Sequence, residues 1–320
     1  MEKIIGITMG DIAGVGPELI LKVIKDYPAV VYGSYDVLNY YNDKYQYGYK
    51  LRVINNADEF DANYINIIDT LPIKMDQFEI GKVSPDCGKR SFLYLQKAID
   101  DALNNRISAI VTCPLNKEAL HLGGYNYAGH TEILAQLTNT DEYAMLLWSD
   151  KLKAIHVSTH CSLSQAINRC KKEKIITVTK LAYNTLIKAG YTNPRIAIAG
   201  LNPHAGENGL FGDEEINEIM PAIELLNNDG ICVEGPVPPD TVFLKCLNGT
   251  YDLVVAQYHD QGHIPLKLLD FNGGVNITVG LPIIRTSVDH GTAFDIAGSN
   301  KCNPDSLVQA ILIAYKLAQK

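Results

Sequence analysis

The chain has 320 residues, 47% of them hydrophobic and 20% charged, with a formal net charge of -8. That balance fits an ordinary globular protein able to bury a sizeable core, and it does not fit a disordered chain. A negative net charge with no run of Lys or Arg argues against a nucleic-acid binder, so the cations that an anionic ligand needs must be gathered locally.

In chain order, the sequence predicts a strand at Ile4–Met9, a helix from about Pro17 to Lys25, a strand at Ala29–Tyr32, a helix at Lys89–Leu103 and a strand at Ala109–Cys113. Strands follow at Ala144–Trp148 and Ala154–Val157, then a helix at Ile175–Ala189 and a strand at Arg195–Ala199. A helix at Glu214–Asn227, a strand at Leu253–Gln257 and a helix at Pro304–Ala318 complete the pattern. Pro17 suits a first helical position, where its missing N–H costs nothing. The acidic run ending in Glu214 and Glu215 suits the positive end of the helix it opens. Strand and helix alternating in this way predict an α/β fold, mostly parallel at the centre of its sheet. No repeat or low-complexity linker marks a domain boundary.

Seven cysteines without a CxxC pair read as core residues in a reducing compartment, not as a disulfide framework or zinc ribbon. The first residues lack the basic and apolar regions of a signal peptide. No apolar run approaches the roughly 18 residues that would span a bilayer, so no membrane role is expected and the expected location is the cytoplasm. There is no GxxxxGK[ST] phosphate loop. Gly14-Val15-Gly16-Pro17-Glu18-Leu19 starts like a dinucleotide-binding GxGxxG, but Leu19 stands at the third glycine. It reads as a tight strand-to-helix turn.

Three histidines share one position: His160 follows the strand through Ile155, His204 the strand through Ile198, and His259 the strand through Val255. In open α/β sheets, ligands bind beyond the carboxyl ends of the strands. Three imidazoles delivered to that edge can converge on one cation and leave coordination positions open for substrate. His156, inside its strand, reads instead as a core or surface residue. The loops Asn202–Glu207 and Tyr258–His263 crowd polar groups between Gly and Pro, as binding loops on a rigid sheet do.

With those loops in view, the chain resembles the 4-hydroxythreonine-4-phosphate dehydrogenase family from end to end. The motifs are TMGDIAGVGPE (8–18), TCPLNK (112–117), AGHTE (128–132), STH (158–160), GLNPHAGE (200–207), GPVPPDT (235–241), YHDQGHIPLK (258–267) and GVNITVGLPIIRTSVDHGTAFDIAG (274–298). Ile12 departs from the family's usual proline. The resemblance implies an isocitrate/isopropylmalate dehydrogenase-like fold of two α/β domains, dimeric, with the active site in the interdomain cleft. Residues 1–128 and 275–320 would form one domain and 129–274 the other. The family's metal-binding histidines fall on His160, His204 and His259. Its substrate-binding positions fall on His130, Thr131, Lys267, Asn276 and Arg285. The loop with His290, Gly291, Thr292, Ala293 and Asp295 looks like the nucleotide-binding loop of the wider fold.

Arg285 suits a phosphate or carboxylate through its planar charged fork, and His130-Thr131 opens a helix whose free N–H groups favour anions. Asp240 and Lys117, beside helix starts, are candidates for proton transfer, or equally for caps and ion pairs. The implied reaction is NAD-dependent oxidation and then decarboxylation of a 4-phosphorylated 3-hydroxy acid, assisted by zinc, cobalt, manganese or magnesium. The expected substrate is 4-hydroxythreonine 4-phosphate, for pyridoxal phosphate biosynthesis. The alternative is D-threonate or D-erythronate 4-phosphate, giving dihydroxyacetone phosphate. A different class, a non-catalytic metal- or phosphate-binding protein on the same fold, would be separated by its failure to make NADH.

Overall fold

The computed structural model describes residues 3–270 and 273–319. The strands are β1 (Ile5–Thr8), β2 (Ala29–Tyr32), β3 (Leu51–Val53), β4 (Ile65–Ile68), β5 (Ile110–Thr112), β6 (Ala144–Trp148), β7 (Lys153–His156), β8 (Ile196–Ala199), β9 (Val233–Val237), β10 (Leu253–Ala256), β11 (Val275–Val279) and β12 (Arg285–Val288). The α-helices are α1 (Gly16–Val23), α2 (Tyr35–Lys44), α3 (Pro85–Leu103), α4 (Lys117–Leu122), α5 (His130–Leu137), α6 (Leu163–Arg169), α7 (Lys172–Lys188), α8 (Met220–Asn228), α9 (Pro239–Leu247), α10 (His259–Leu269) and α11 (Asp305–Ala318). No helix among the described residues is long and apolar enough to cross a membrane.

The chain divides into two compact units, Met1–Asp141 with Leu281–Ala318, and Glu142–Gly280. In the first, the strands run in the order β3-β4-β2-β1-β5-β12, all parallel. β1, β2, β4 and β5 are buried throughout, as strands are when helices cover both faces of a parallel sheet. β1 has β2 on one side and β5 on the other, so the direction of winding reverses there. That reversal opens a crevice at the carboxyl edge.

In the second unit the order is β11-β6-β7-β10-β8-β9. β11, β6 and β7 pair antiparallel, while β7, β10, β8 and β9 pair parallel. Pro236 sits in β9, the edge strand, where its missing N–H breaks no central ladder. A core of Leu147, Ala197, Val242, Val254 and Leu266 packs beneath this sheet.

The predicted elements are all present, with ends displaced by a few residues, and two differences have clear causes. α3 starts at Pro85, a proline at the first helical position after Ser84, and already buries Cys87 and Gly88 in its first turn. The helix expected from Glu214 opens instead with a wide π-turn, Glu215–Ile219, and becomes regular only at Met220. At the first of these, α3 meets α4 nearly backbone to backbone: a Cβ on Gly88 would stand 1.9 Å from the Ala119 carbonyl oxygen. Main chain cannot rotate away, so Gly88→Ala should lower unfolding free energy by at least about 1–3 kcal/mol in urea titrations. An unchanged midpoint would show that the two helices do not pack this closely.

Candidate active site

In the second unit, β7, β10 and β8 are adjacent and parallel, so the residues that follow them leave the sheet at one edge. Those residues carry His160, His259 and His204. The two outer strands lie about 10 Å apart, twice the strand spacing, with β10 between them. Buried amides tie the three loops together. Gln257 donates from Nε2 to the Ala199 carbonyl at 2.8 Å and accepts at its carbonyl from Ser158 Oγ at 3.0 Å. Gln261 donates to the Gly200 carbonyl at 2.8 Å and accepts from the Gln257 N–H at 2.7 Å.

His259 is the first residue of α10. Its Nδ1 lies 2.7 Å from Asp260 Oδ1, so the N–H donated there leaves the Nε2 lone pair facing outward. His263, one turn on, stacks against the same ring at 3.6 Å. The His160 ring centroid is 5.7 Å from that of His259. Two imidazoles on one zinc-sized ion, each with N–metal about 2.0–2.1 Å, place their centroids roughly 5–6 Å apart, so this pair fits a shared ion. Both rings line a cavity of about 530 Å3 with Ser158, Thr159, Cys161 and Tyr258.

His204 is exposed on the β8 loop, its ring 6.1 Å from Phe211. Among the described residues, no three His, Cys, Asp or Glu side chains are close enough to hold an ion as they stand. His156 is buried, and burial above all lowers its imidazole to about 3. It is a neutral core histidine. Asp240 is exposed in the first turn of α9, Lys267 lies in the last turn of α10, and Asn276 is on β11.

In the first unit, Arg285 is buried at the start of β12 and donates from its guanidinium to Thr112 Oγ1 at 2.7 Å. Burial pulls its pKa down and the Glu132 carboxylate pulls it back; a guanidinium stays charged at neutral pH regardless. The half-buried His130 opens α5. Burial, and then the charge of Arg285, push its imidazole well below the usual range. The structure therefore brings a fixed cation and a neutral imidazole together at a helix N-terminus. Thr131 is next along that helix and makes no cap bond. Lys117, exposed at the start of α4, reaches the same helix start, its Cε 3.8 Å from where a Gly129 Cβ would be.

Two loops close this carboxyl edge. The Asp11 N–H donates to the Pro114 carbonyl at 2.9 Å, joining the β1 and β5 loops. The loop after β12 returns over α1: Val15 N–H donates to the Thr292 carbonyl at 3.1 Å, and a Gly14 Cβ would stand 2.8 Å from that oxygen. Gly14 of the partial GxGxxG thus serves close packing of the turn against Thr292, and Gly16 its packing against the Met9 carbonyl and Cys113. Glu18, fully buried, accepts N–H groups from Gly298 at 2.7 Å and Asn300 at 2.5 Å, and the Tyr45 hydroxyl at 3.0 Å. Within that loop His290, Gly291 and Asp295 are exposed, Thr292 is half-buried, and Ala293 has φ 43°.

Sequence reasoning did not single out Glu18, Asp11 or Glu132, although all three lie inside the motifs 8–18 and 128–132. Glu215 was read as favouring its own helix end, whereas its carboxylate turns back to the β8 loop.

Parallel strands presenting histidines, a buried arginine and clamped loops at their carboxyl edges are features of an α/β enzyme. The chain belongs to the PdxA family: the profile described as pyridoxal phosphate biosynthetic protein PdxA matches residues 25–314. It is 49% identical over 324 residues to the D-threonate 4-phosphate dehydrogenase of Salmonella typhimurium, covering 99% of each chain. It is 49% identical over 332 residues to the enzyme of the same name from Pectobacterium atrosepticum, covering 99% of this chain and 100% of the relative. The crystal structure of a 4-hydroxythreonine-4-phosphate dehydrogenase from Klebsiella pneumoniae superposes with a TM-score of 0.89 at 49% identity, covering 99% of this chain and 100% of that one. This chain is accordingly a dehydrogenase.

Asp11 offers a test of this edge. One carboxylate oxygen accepts the Ala13 N–H at 2.9 Å; the other is buried with no hydrogen-bond partner among the described residues. Burial raises the carboxyl to about 6, above its unfolded value, so the fold favours the protonated form. The ionisation penalty is absent below about pH 4, grows between pH 4 and 6, and is full above. Asp11→Asn cannot ionise. Its stability relative to wild type should therefore rise by up to about 3 kcal/mol from pH 4 to 7 in urea titrations. Parallel pH profiles would contradict this.

Proposed function

We propose that the chain catalyses NAD-dependent oxidation and decarboxylation of a 4-phosphorylated 3-hydroxy acid, with D-threonate 4-phosphate as its substrate. The observation that carries the reading is the placement of His160, His259 and His204 after three adjacent parallel strands. The names of the 49% identical relatives support the substrate. A second reading, 4-hydroxythreonine 4-phosphate, is supported by the family description and by the name of the Klebsiella structure; the two acids differ at C2, hydroxyl against amine. The two units are proposed as the domains of an isocitrate/isopropylmalate dehydrogenase-like architecture, assembled as a cytoplasmic homodimer.

His160, His204 and His259 would hold a divalent ion, zinc by donor type, with cobalt, manganese or magnesium as alternatives. When bound, that ion would supply Lewis acidity to the substrate hydroxyl, and a bound NAD would supply the hydride acceptor. The chain's own groups do the rest. Asp260, at 2.7 Å from His259 Nδ1, orients that ring so that its Nε2 is the nitrogen offered to the ion. Arg285 receives the phosphate, and neutral His130 with Thr131 adds donors without further charge. Lys267 and Asn276 are further substrate contacts. The hydroxyl proton is assigned to Lys117 or Asp240. The loop of His290, Gly291, Thr292, Ala293 and Asp295, held by Glu18, is assigned to the nucleotide.

Absorbance at 340 nm with D-threonate, D-erythronate and 4-hydroxythreonine 4-phosphates decides the substrate. NADH should form fastest with D-threonate 4-phosphate and cease on chelation of divalent metal. Faster turnover of the amino acid would favour the second reading, and no NADH with any of the three would favour a non-catalytic binding protein.

An ionic hydrogen bond is worth about 1.5–3 kcal/mol. Arg285→Ala should therefore lower kcat/KM roughly 10- to 150-fold, and Arg285→Lys should recover part of the loss, with metal content unchanged. If the dephosphorylated acid is affected as strongly, Arg285 serves the carboxylate or the fold instead.

A further inference from the structure

We infer that Glu215 is the positioning residue for His204, holding the backbone of the β8 loop in the place from which this exposed imidazole can turn to the ion proposed for His160 and His259; the inference rests on the metal site proposed above. Glu215 is buried, 2% exposed. Its Oε1 accepts the N–H groups of Leu201 at 2.7 Å and Asn202 at 2.8 Å, and its Oε2 accepts Asn202 Nδ2 at 2.9 Å. The loop then passes the same carboxylate again: a Cβ on Gly206, at φ 78°, would stand 2.7 Å from Oε2 and displace it. His204 lies between these two points of attachment.

The backbone around it does not hold itself. His204, Ala205, Gly206, Glu207, Asn208 and Gly209 have φ of 53°, 55°, 78°, 42°, 57° and 93°, six successive residues with positive φ. L-residues avoid that region and enter it singly, not as runs. Such a segment persists only where its surroundings over-determine it, and strain of this kind collects at functional sites. Glu215 supplies the determination. The π-turn it opens is an irregularity of the kind that recurs at functional sites. Glu214 adds one bond, accepting Asn202 Nδ2 at 2.7 Å, but touches no backbone N–H of the loop. Glu218, from the same turn, pairs with Lys171 and the Lys172 N–H, away from the loop.

The test titrates metal-free protein with Co2+, read by its visible absorption, in the wild type, His204→Ala, Glu215→Ala, Glu215→Gln and the His204→Ala/Glu215→Ala double variant. Outer groups that orient a ligand typically contribute 10- to 100-fold in metal affinity, so Glu215→Ala should weaken Co2+ binding by about that factor. Glu215→Gln keeps one oxygen to accept both backbone N–H groups, so it should recover most of the loss; it also serves if the alanine variant does not fold. Because Glu215 acts through His204, the double variant should bind no more weakly than His204→Ala alone.

The inference is overturned if His204→Ala weakens binding while Glu215→Ala does not, if the two losses multiply, or if the glutamine variant is as weak as the alanine one, which would mean charge and not position. If His204→Ala binds Co2+ as the wild type does, the metal-site reading itself fails.

Discussion

A backbone N–H that has left its sheet must find another acceptor, because burial without one costs as much as a lost hydrogen bond. Here buried side chains supply it at the carboxyl edges. Glu18 takes the N–H groups of Gly298 and Asn300, and Glu215 those of Leu201 and Asn202. Gln261 takes that of Gln257 and spends its own amide on Gly200. Each bond fixes a loop that could otherwise wander. Each therefore also fixes the aim of whatever side chain that loop carries.

The same economy governs charge. With a net charge of -8, the chain as a whole would repel the phosphorylated acid proposed as its substrate. Attraction has to come from a few groups that keep their positive character in a dry setting. Arg285 is the natural one, since a guanidinium stays charged when buried. Burial, and then that neighbour, push the His130 imidazole well below its usual range, so in the proposed role it would bond a substrate oxygen without adding a second cation.

Much of this was legible in the sequence, for identifiable reasons. Central strands such as Ala29–Tyr32 and Leu253–Ala256 are continuous apolar runs, and the strand-end positions of His160, His204 and His259 could be read directly from them. β3 was missed because Leu51-Arg52-Val53 is a half-exposed edge strand, and β9 because Gly235 and Pro236 interrupt it. β12 was hidden by Arg285, Thr286 and Ser287, polar residues buried through tertiary partners. The clamps were not legible either. Nothing local tells a glutamate that caps its own helix from one, like Glu215, that reaches back to residues 201 and 202, and the run at 204–209 has two glycines where six positive φ angles occur.

The central claim is that three adjacent parallel strands deliver His160, His204 and His259 to one ion. X-ray absorption at the metal edge of the zinc-loaded protein tests it most directly. The account predicts three imidazole nitrogens at about 2.0–2.1 Å, with the outer-shell scattering of the rings, falling to two in His204→Ala. A coordination shell with no imidazole scattering, or one unchanged in that variant, would contradict it.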